Sequence, residues 1–367
     1  MTPSGIMLLE RNVDYCEFCG KTFPQGDAEL DINEKFYATN DLIEIVSYAG
    51  QIIPSFRNAQ DLLSRLCSIN ISFSNIQKIT EYVGEKVFEV QKKASEKAYN
   101  EPEIAAPHVP EREKEDCILY MAWDGSAVNT ILKEAGTTWK EMKLGMIFTD
   151  KDIKIRKEQK YIEKKEYVAY FGKVEEFKKF VFEAAARAGY GRIKKVVVLG
   201  DGAQWVWNIC VELFPDAICI LDLYHLKENV FEYAKALFPN NEKKYTKWAK
   251  TVSYYVETDQ VDKALKKIKE NPLAETAGDN VVKLDGYINN NIDRINYLKY
   301  KNQGFYVGSG MIESGNKVVV QKRMKQAGQR WRIDNGQSVV TLRAKYESDK
   351  WDEVSDIIHN RLLMKAG

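Results

Sequence analysis

Residues 195–202 read KVVVLGDG, four apolar side chains followed by a glycine, an aspartate and a second glycine. A short apolar run without alternation is the pattern of a strand buried on both faces. The Gly-Asp-Gly that follows ends the strand and delivers Asp201 to the carboxyl edge of a sheet, where α/β proteins place their ligands. Residues 117–125, CILYMAWDG, repeat the arrangement with a strand expected to end at Asp124-Gly125. Gly125 and Gly202 permit close backbone approach. Two carboxylates aimed at one spot repel, and burying either is costly unless it is paired or metal-bound. A hard divalent cation relieves both problems. The competing reading is that one or both acids cap the next helix.

Working outward, LGMIFT (144–149) and YVAYFG (167–172) are further strands, and 174–189 is an amphipathic helix stopped by glycines. VWNICVELF (206–214) is a helix and AICILDL (217–223) a strand. Residues 226–300 then carry a helical pattern rich in Lys, Tyr and Asn. SGMIESGNKVVVQKRMKQAG predicts a helix capped by Ser309 and stopped at Gly328. The order β-β-β-α-β-α-β, then a helical block, then a helix, predicts an α/β fold: a mixed sheet with an all-helical insertion.

Ahead of this lies a linker, 100–116, whose Pro102, Pro107 and Pro110 and many acids block helix continuation and burial. Residues 1–99 are therefore expected to form a separate, mainly helical domain. Asn58 to Leu66 is one helix; Ser74 can cap another with apolar Ile76, Ile79, Val83 and Val87. The pair is compatible with a helix-turn-helix, although the acidic balance of residues 1–116, net −8, works against tight DNA binding. Cys16 and Cys19 resemble half a zinc ribbon. Tetrahedral zinc needs four ligands, and no other Cys or His lies within the first 60 residues, so zinc at Cys16/Cys19 is not expected.

The chain has 367 residues, 44% hydrophobic and 29% charged, with a net charge of +1. That composition excludes a disordered chain. There is no apolar run of membrane-spanning length and no signal-peptide pattern in MTPSGIMLLERN, so a cytoplasmic protein without a membrane partner is expected. The scattered cysteines agree with a reducing compartment. Overall neutrality hides a segment, 294–345, with a net charge of +9. Its bases include Lys317, Lys322, Arg323, Lys325, Arg330 and Arg332, a candidate phosphate-binding face rather than a merely solvated helix. Glu313 stands in its first turn, either an ion-pair partner for Lys317 at i+4 or the third acid of a metal pocket. Trp331 is read as core; Trp205 and Trp207 as packing for the helix after Asp201.

Together WDGSAV, WKEMKLGMIF, VVVLGDGAQWVWN, FPDAICILDLYHLKENV, VGSGMIESGNKVVVQKRMKQAGQRW and TLRAKY resemble, in family order, an insertion-sequence transposase with a ribonuclease-H-like Asp-Asp-Glu domain, most like the ISKra-type group. The resemblance covers roughly residues 10–350. It implies that Asp124, Asp201 and Glu313 are the catalytic triad and bind two Mg²⁺ or Mn²⁺ ions. It implies a catalytic domain from 117–225 and 301–345, a helical insertion at 226–300 and a C-terminal helix at 346–367. Asp222-Leu-Tyr-His225 resembles the Cys/Asp-x-x-His signature of the related Mutator-like transposases. His225 is thus a candidate near the site, placing a phosphate or moving a proton rather than binding metal, against the plainer reading of a buried Asp–His bond. Relatives have more sequence upstream of Cys16, so an N-terminus shortened relative to the family is expected. The implied partners are DNA (terminal inverted repeats and target) and a second copy of the chain, in a nucleoid-associated complex. The alternatives are a same-fold nuclease or resolvase, and a decayed or domesticated transposase that only binds DNA.

Overall fold

The computed structural model describes residues 1–6, 8, 12–24, 31–132, 136–157, 159–273, 283–308 and 310–361. Two small hairpins come first: β1 (Val13–Tyr15) with β2 (Thr22–Pro24), and β3 (Ile32–Asn33) with β4 (Ala38–Thr39). Helices α1 (Asn40–Ile52), α2 (Phe56–Cys67), α3 (Phe73–Asn100) and the short α4 (Pro102–Ala105) follow. Next are strands β5 (Glu115–Leu132), β6 (Gly136–Thr149), a side hairpin of β7 (Ile153–Arg156) and β8 (Gln159–Ile162), and β9 (Glu166–Tyr170). Then come α5 (Val174–Arg187), β10 (Ile193–Gly200), α6 (Gln204–Leu213) and β11 (Ile218–Leu221).

These strands form one mixed sheet in the order β11-β10-β5-β6-β9. β10 runs parallel to both β5 and β11, while β6 is antiparallel to β5 and β9. Apart from the side hairpin, the chain order is the expected β-β-β-α-β-α-β. Val197, Val198 and Leu199 of β10 are at most 1% exposed, as a strand covered on both faces requires. The helical block is α7 (Leu223–Leu237), α8 (Glu242–Glu257), α9 (Val261–Lys269), α10 (Leu284–Asn290) and α11 (Tyr297–Asn302). After it, α12 (Gly310–Gly315) continues through a π-helical turn, Asn316–Gln321, into α13 (Lys322–Met324). The chain closes with α14 (Ile333–Glu347) and α15 (Trp351–Ile358). Among the described residues no helix is long and apolar enough to cross a membrane.

Several sequence expectations are corrected here. β5 does not end at Asp124; it continues to Leu132, paired with β6 throughout. Ser126, Val128 and Thr130 are buried while Ala127 and Ile131 are exposed, so alternation carries the strand past the Asp-Gly pair. Ser72, not Ser74, caps α3, its hydroxyl accepting from the Asn75 amide. The basic helix ends at Met324 rather than at Gly328, and its expected cap, Ser309, lies outside the described residues. The linker carries α4 and a 3-10 turn at Glu111–Glu113. Of the C-terminal helix expected at 346–367, α15 is the described part and 362–367 lie outside it.

Ile76, Ile79, Val83 and Val87 make one buried stripe on α3, as their spacing predicts. Each such side chain stabilises the fold by about 1.5–3 kcal/mol. The stripe belongs to a second core, shared with Leu42, Leu63, Leu342, Val354 and Ile358. N-terminal and C-terminal helices thus pack on each other, and α14 in turn covers the edge of the sheet. The Gln337 side chain accepts from the Phe171 amide at 2.7 Å and donates to the Ala169 carbonyl at 3.1 Å. Those bonds occupy edge groups that would otherwise invite another strand.

Gly84 lets α3 meet α14: a Cβ there would lie 2.2 Å from the Ser338 carbonyl oxygen. Gly84→Ala is expected to cost about 1–3 kcal/mol in urea unfolding, because backbone must shift. Gly286→Ala, in α10 with open space around it, should instead be neutral or stabilising by about 0.5–1 kcal/mol. Equal effects would contradict this packing.

Candidate active site

Strand register builds the site. Leu199 pairs with Ala122, and Gly200 pairs with Leu221. Continuing that register sets Asp124, Asp201 and Asp222 level with one another where the parallel pairing stops. Asp201 turns back on its own chain, its Oδ1 accepting from the Ala203 amide at 2.9 Å ahead of α6. The Tyr287 hydroxyl donates to the Asp201 carbonyl at 2.7 Å, tying the helical block to this turn. Gly202 has φ +100 with the Tyr287 ring close by, so the turn needs a glycine. Asp222 is fully buried and caps α7, its Oδ1 accepting from the amides of Tyr224 (2.5 Å) and His225 (3.1 Å). Asp222 thus meets His225 through its main-chain amide.

Asp124 has a donor on each oxygen. The Gly125 amide donates to Oδ1 at 2.7 Å, and the Asn316 side chain to Oδ2 at 2.5 Å. Burial pushes the Asp124 carboxyl above its ordinary value, and the nearby Asp201 charge pushes it further. The Gly125 amide, His225 and Asn316 pull the other way. Asn316 went unremarked in the sequence, yet it stands three residues after Glu313 and so shares its helix face. It is 4% exposed and sits at the start of the π-helical turn, a local widening common at functional sites.

Glu313 and Asp124 line one cavity of about 360 Å³ together with Gly125, Ser126, Asn316 and Lys317. The Glu313 carboxyl is also held above its ordinary value by burial, and the charges of Asp222, Glu228 and Asp124 add to the shift while His225 opposes it. Among the described residues Glu313 makes no ion pair with Lys317; beside it stands His225, whose Nε2 is 3.8 Å from Oε1. On its other side His225 Nδ1 is 3.2 Å from Glu228 Oε2.

Of the six candidate DNA-contacting bases, Lys317, Lys322, Lys325, Arg330 and Arg332 are exposed. Lys325 is close enough to Asp124 for that carboxylate to favour its charge, against a larger effect of burial. Arg323 is the correction. It is 1% exposed and donates to the carbonyls of Gly50 and Pro54, with its guanidinium 4.5 Å from the Phe56 ring and 5.1 Å from Trp331. Burial pulls it down to about 10. Arg323 therefore fastens the end of α1 to the site helix and offers nothing to an external phosphate. Sequence alone could not separate it from its neighbours, because all lie in one KRMK run. Trp331 is core, as read, its indole donating to the Met324 carbonyl at 3.1 Å. Trp207 is buried too, while Trp205 packs edge-on to Phe177. Cys16 and Cys19 lie around the exposed β1–β2 hairpin, far in sequence from these acids, and both are free thiols.

A carboxyl whose folded value is raised weakens the fold only where it is charged. In protein stripped of divalent ions, Asp124→Asn is therefore expected to melt at a higher temperature than wild type near neutral pH. The gain should shrink as pH falls through the raised folded value and vanish below the unfolded value of 3.8, where both states are protonated. A gain that grows on acidification would contradict the raised value.

No family model matches this chain, and no curated protein matches it. Among solved structures it is similar to the Drosophila P element transposase strand transfer complex, with a TM-score of 0.40 and 11% identity, over 83% of this chain and 91% of that chain.

Proposed function

We propose that this chain is a DNA transposase of the insertion-sequence type, with a ribonuclease-H-like catalytic domain in which Asp124, Asp201 and Glu313 act together. The observation that carries the reading is the place of Asp124 beside each of the other two acids. Asp124 is level with Asp201 by strand register, and Asp124 shares a cavity with Glu313 although 188 residues separate them in sequence. Carboxylates held above their ordinary values by burial and by neighbouring acids, as Asp124 and Glu313 are, are a mark of function rather than of stability.

The donor set fits a hard divalent cation. All three groups offer carboxylate oxygens, and two oxygens beside the cavity, Glu313 Oε1 and Asn316 Oδ1, are buried without a hydrogen-bond partner. Held by Asp124, Asp201 and Glu313, Mg²⁺ or Mn²⁺ would supply Lewis acidity for attack on a phosphodiester and for departure of the leaving oxygen. The protein's own groups do the rest. Gly125 and Asn316 hold the Asp124 carboxylate in one orientation. Lys317, at the cavity, and Lys322, Lys325, Arg330 and Arg332 beyond it supply positive charge for a DNA backbone. Water would first cleave the strand at each element end, leaving a free 3′-hydroxyl. That hydroxyl would then attack a target phosphodiester, exchanging one phosphodiester bond for another.

The test is marker movement in bacteria. A marker bracketed by the gene's own flanking DNA is supplied with the chain in trans, as wild type or as Glu313→Gln. Movement with wild type and a loss of at least about 10³-fold in the variant is expected, with fold and DNA affinity retained. Movement that survives Glu313→Gln would overturn the assignment; a wild type that cleaves but never joins would indicate a nuclease of the same fold.

A further inference from the structure

His225 stands between two carboxylates, and its two ring nitrogens have different surroundings. Nδ1 lies 3.2 Å from Glu228 Oε2, one turn along α7. An ionised carboxylate only accepts, so in the neutral imidazole this contact puts the proton on Nδ1 and leaves a lone pair on Nε2. Nε2 in turn faces Glu313 Oε1 at 3.8 Å. That is too long for a hydrogen bond, and both atoms are acceptors. Two bonds of about 2.1 Å to one shared cation span such a gap.

The third member is already rigid. Asp222 is fully buried and holds the first turn of α7 through the amides of Tyr224 and His225. One ligand atom from each of Asp222, His225 and Glu313 lies within 4.8 Å of the other two. A separate observation also points to a missing ligand. Glu313 Oε1 is buried without a hydrogen-bond partner, and so is Oδ1 of Asn316, a side chain 4% exposed on the same helical segment and lining the same cavity. A buried oxygen left without a donor is costly and calls for an ion or water. Glu228 supplies what a metal-bound imidazole normally has, a carboxylate accepting from its second nitrogen.

We propose that Asp222, His225 and Glu313 form a nitrogen-containing divalent cation site, with Glu313 as the ligand shared with Asp124 and Asp201. Imidazole among the ligands favours borderline first-row ions such as Mn²⁺ over Mg²⁺. This makes His225 a ligand rather than the phosphate-placing or proton-moving group that its motif alone implies. The use of the ion in phosphoryl transfer rests on the transposase reading; its binding does not.

The experiment is pulsed EPR on the whole chain, stripped with chelator and reloaded with Mn²⁺, without DNA. Wild type is expected to show ¹⁴N modulation from one coordinated imidazole. His225→Gln should lose that modulation while Mn²⁺ remains bound through Asp124 and Asp201, and Asp124→Asn should keep it. Glu228→Gln, which leaves all three ligands in place, should keep the nitrogen signal and weaken Mn²⁺ binding by about 10–100-fold. Absence of ¹⁴N modulation in Mn²⁺-loaded wild type, as expected if an imidazolium simply bridges the two carboxylates, would overturn the site. So would modulation that persists in folded His225→Gln. The transposase reading fails separately, if markers do not move while the nitrogen signal is present.

Discussion

Parallel pairing of β5, β10 and β11 is the constraint on which the site depends. Leu199 opposite Ala122 and Gly200 opposite Leu221 fix the level at which three aspartates stand beside one another where the parallel pairing stops. A slip of one residue in either ladder would turn a carboxylate to the opposite face. β10 tolerates no such slip, because Val197, Val198 and Leu199 are packed on both sides. Everything that faces the cavity from elsewhere, above all the segment from Gly310 to Met324, is positioned against that row.

The acids are held together against their own repulsion. Burial and the charges of neighbouring acids raise both Asp124 and Glu313, so without a bound cation the fold is weakened at neutral pH. What holds them is local. Asn316 donates from the Glu313 helix to Asp124 on the sheet, a direct bond between the two halves of the site. Behind it, Arg323 donates to Gly50 and Pro54 and anchors the same segment to the N-terminal helices. One basic run thus divides its labour, with Arg323 inside and Lys317, Lys322 and Lys325 at the surface.

Much of this was legible in the sequence, for physical reasons. Central strands have to be apolar throughout, so KVVVLG announced β10; a helix buried on one face has to repeat, so Ile76, Ile79, Val83 and Val87 announced α3. Asp124 and Asp201 could be singled out as the acids that follow buried apolar runs, and Glu313 as the acid in a basic helix. What local pattern could not supply was pairing. β5 runs on past Asp124 because β6 pairs with it to Leu132, and nothing within CILYMAWDG records that partner. Burial of Arg323 depends on carbonyls some 270 residues away. Asn316 carries no local signal, because its role comes from Asp124, which lies opposite it only in the folded chain. Asp222 and Glu228 reach His225 within α7 itself, whereas Glu313 comes to it from α12.

The most direct measurement is a crystal of the chain soaked in Mn²⁺ and measured for anomalous scattering. The account predicts an anomalous peak among the carboxylates of Asp124, Asp201 and Glu313, with the Asn316–Asp124 bond retained. Strong Mn²⁺ peaks elsewhere on the molecule and none between these three side chains would contradict it.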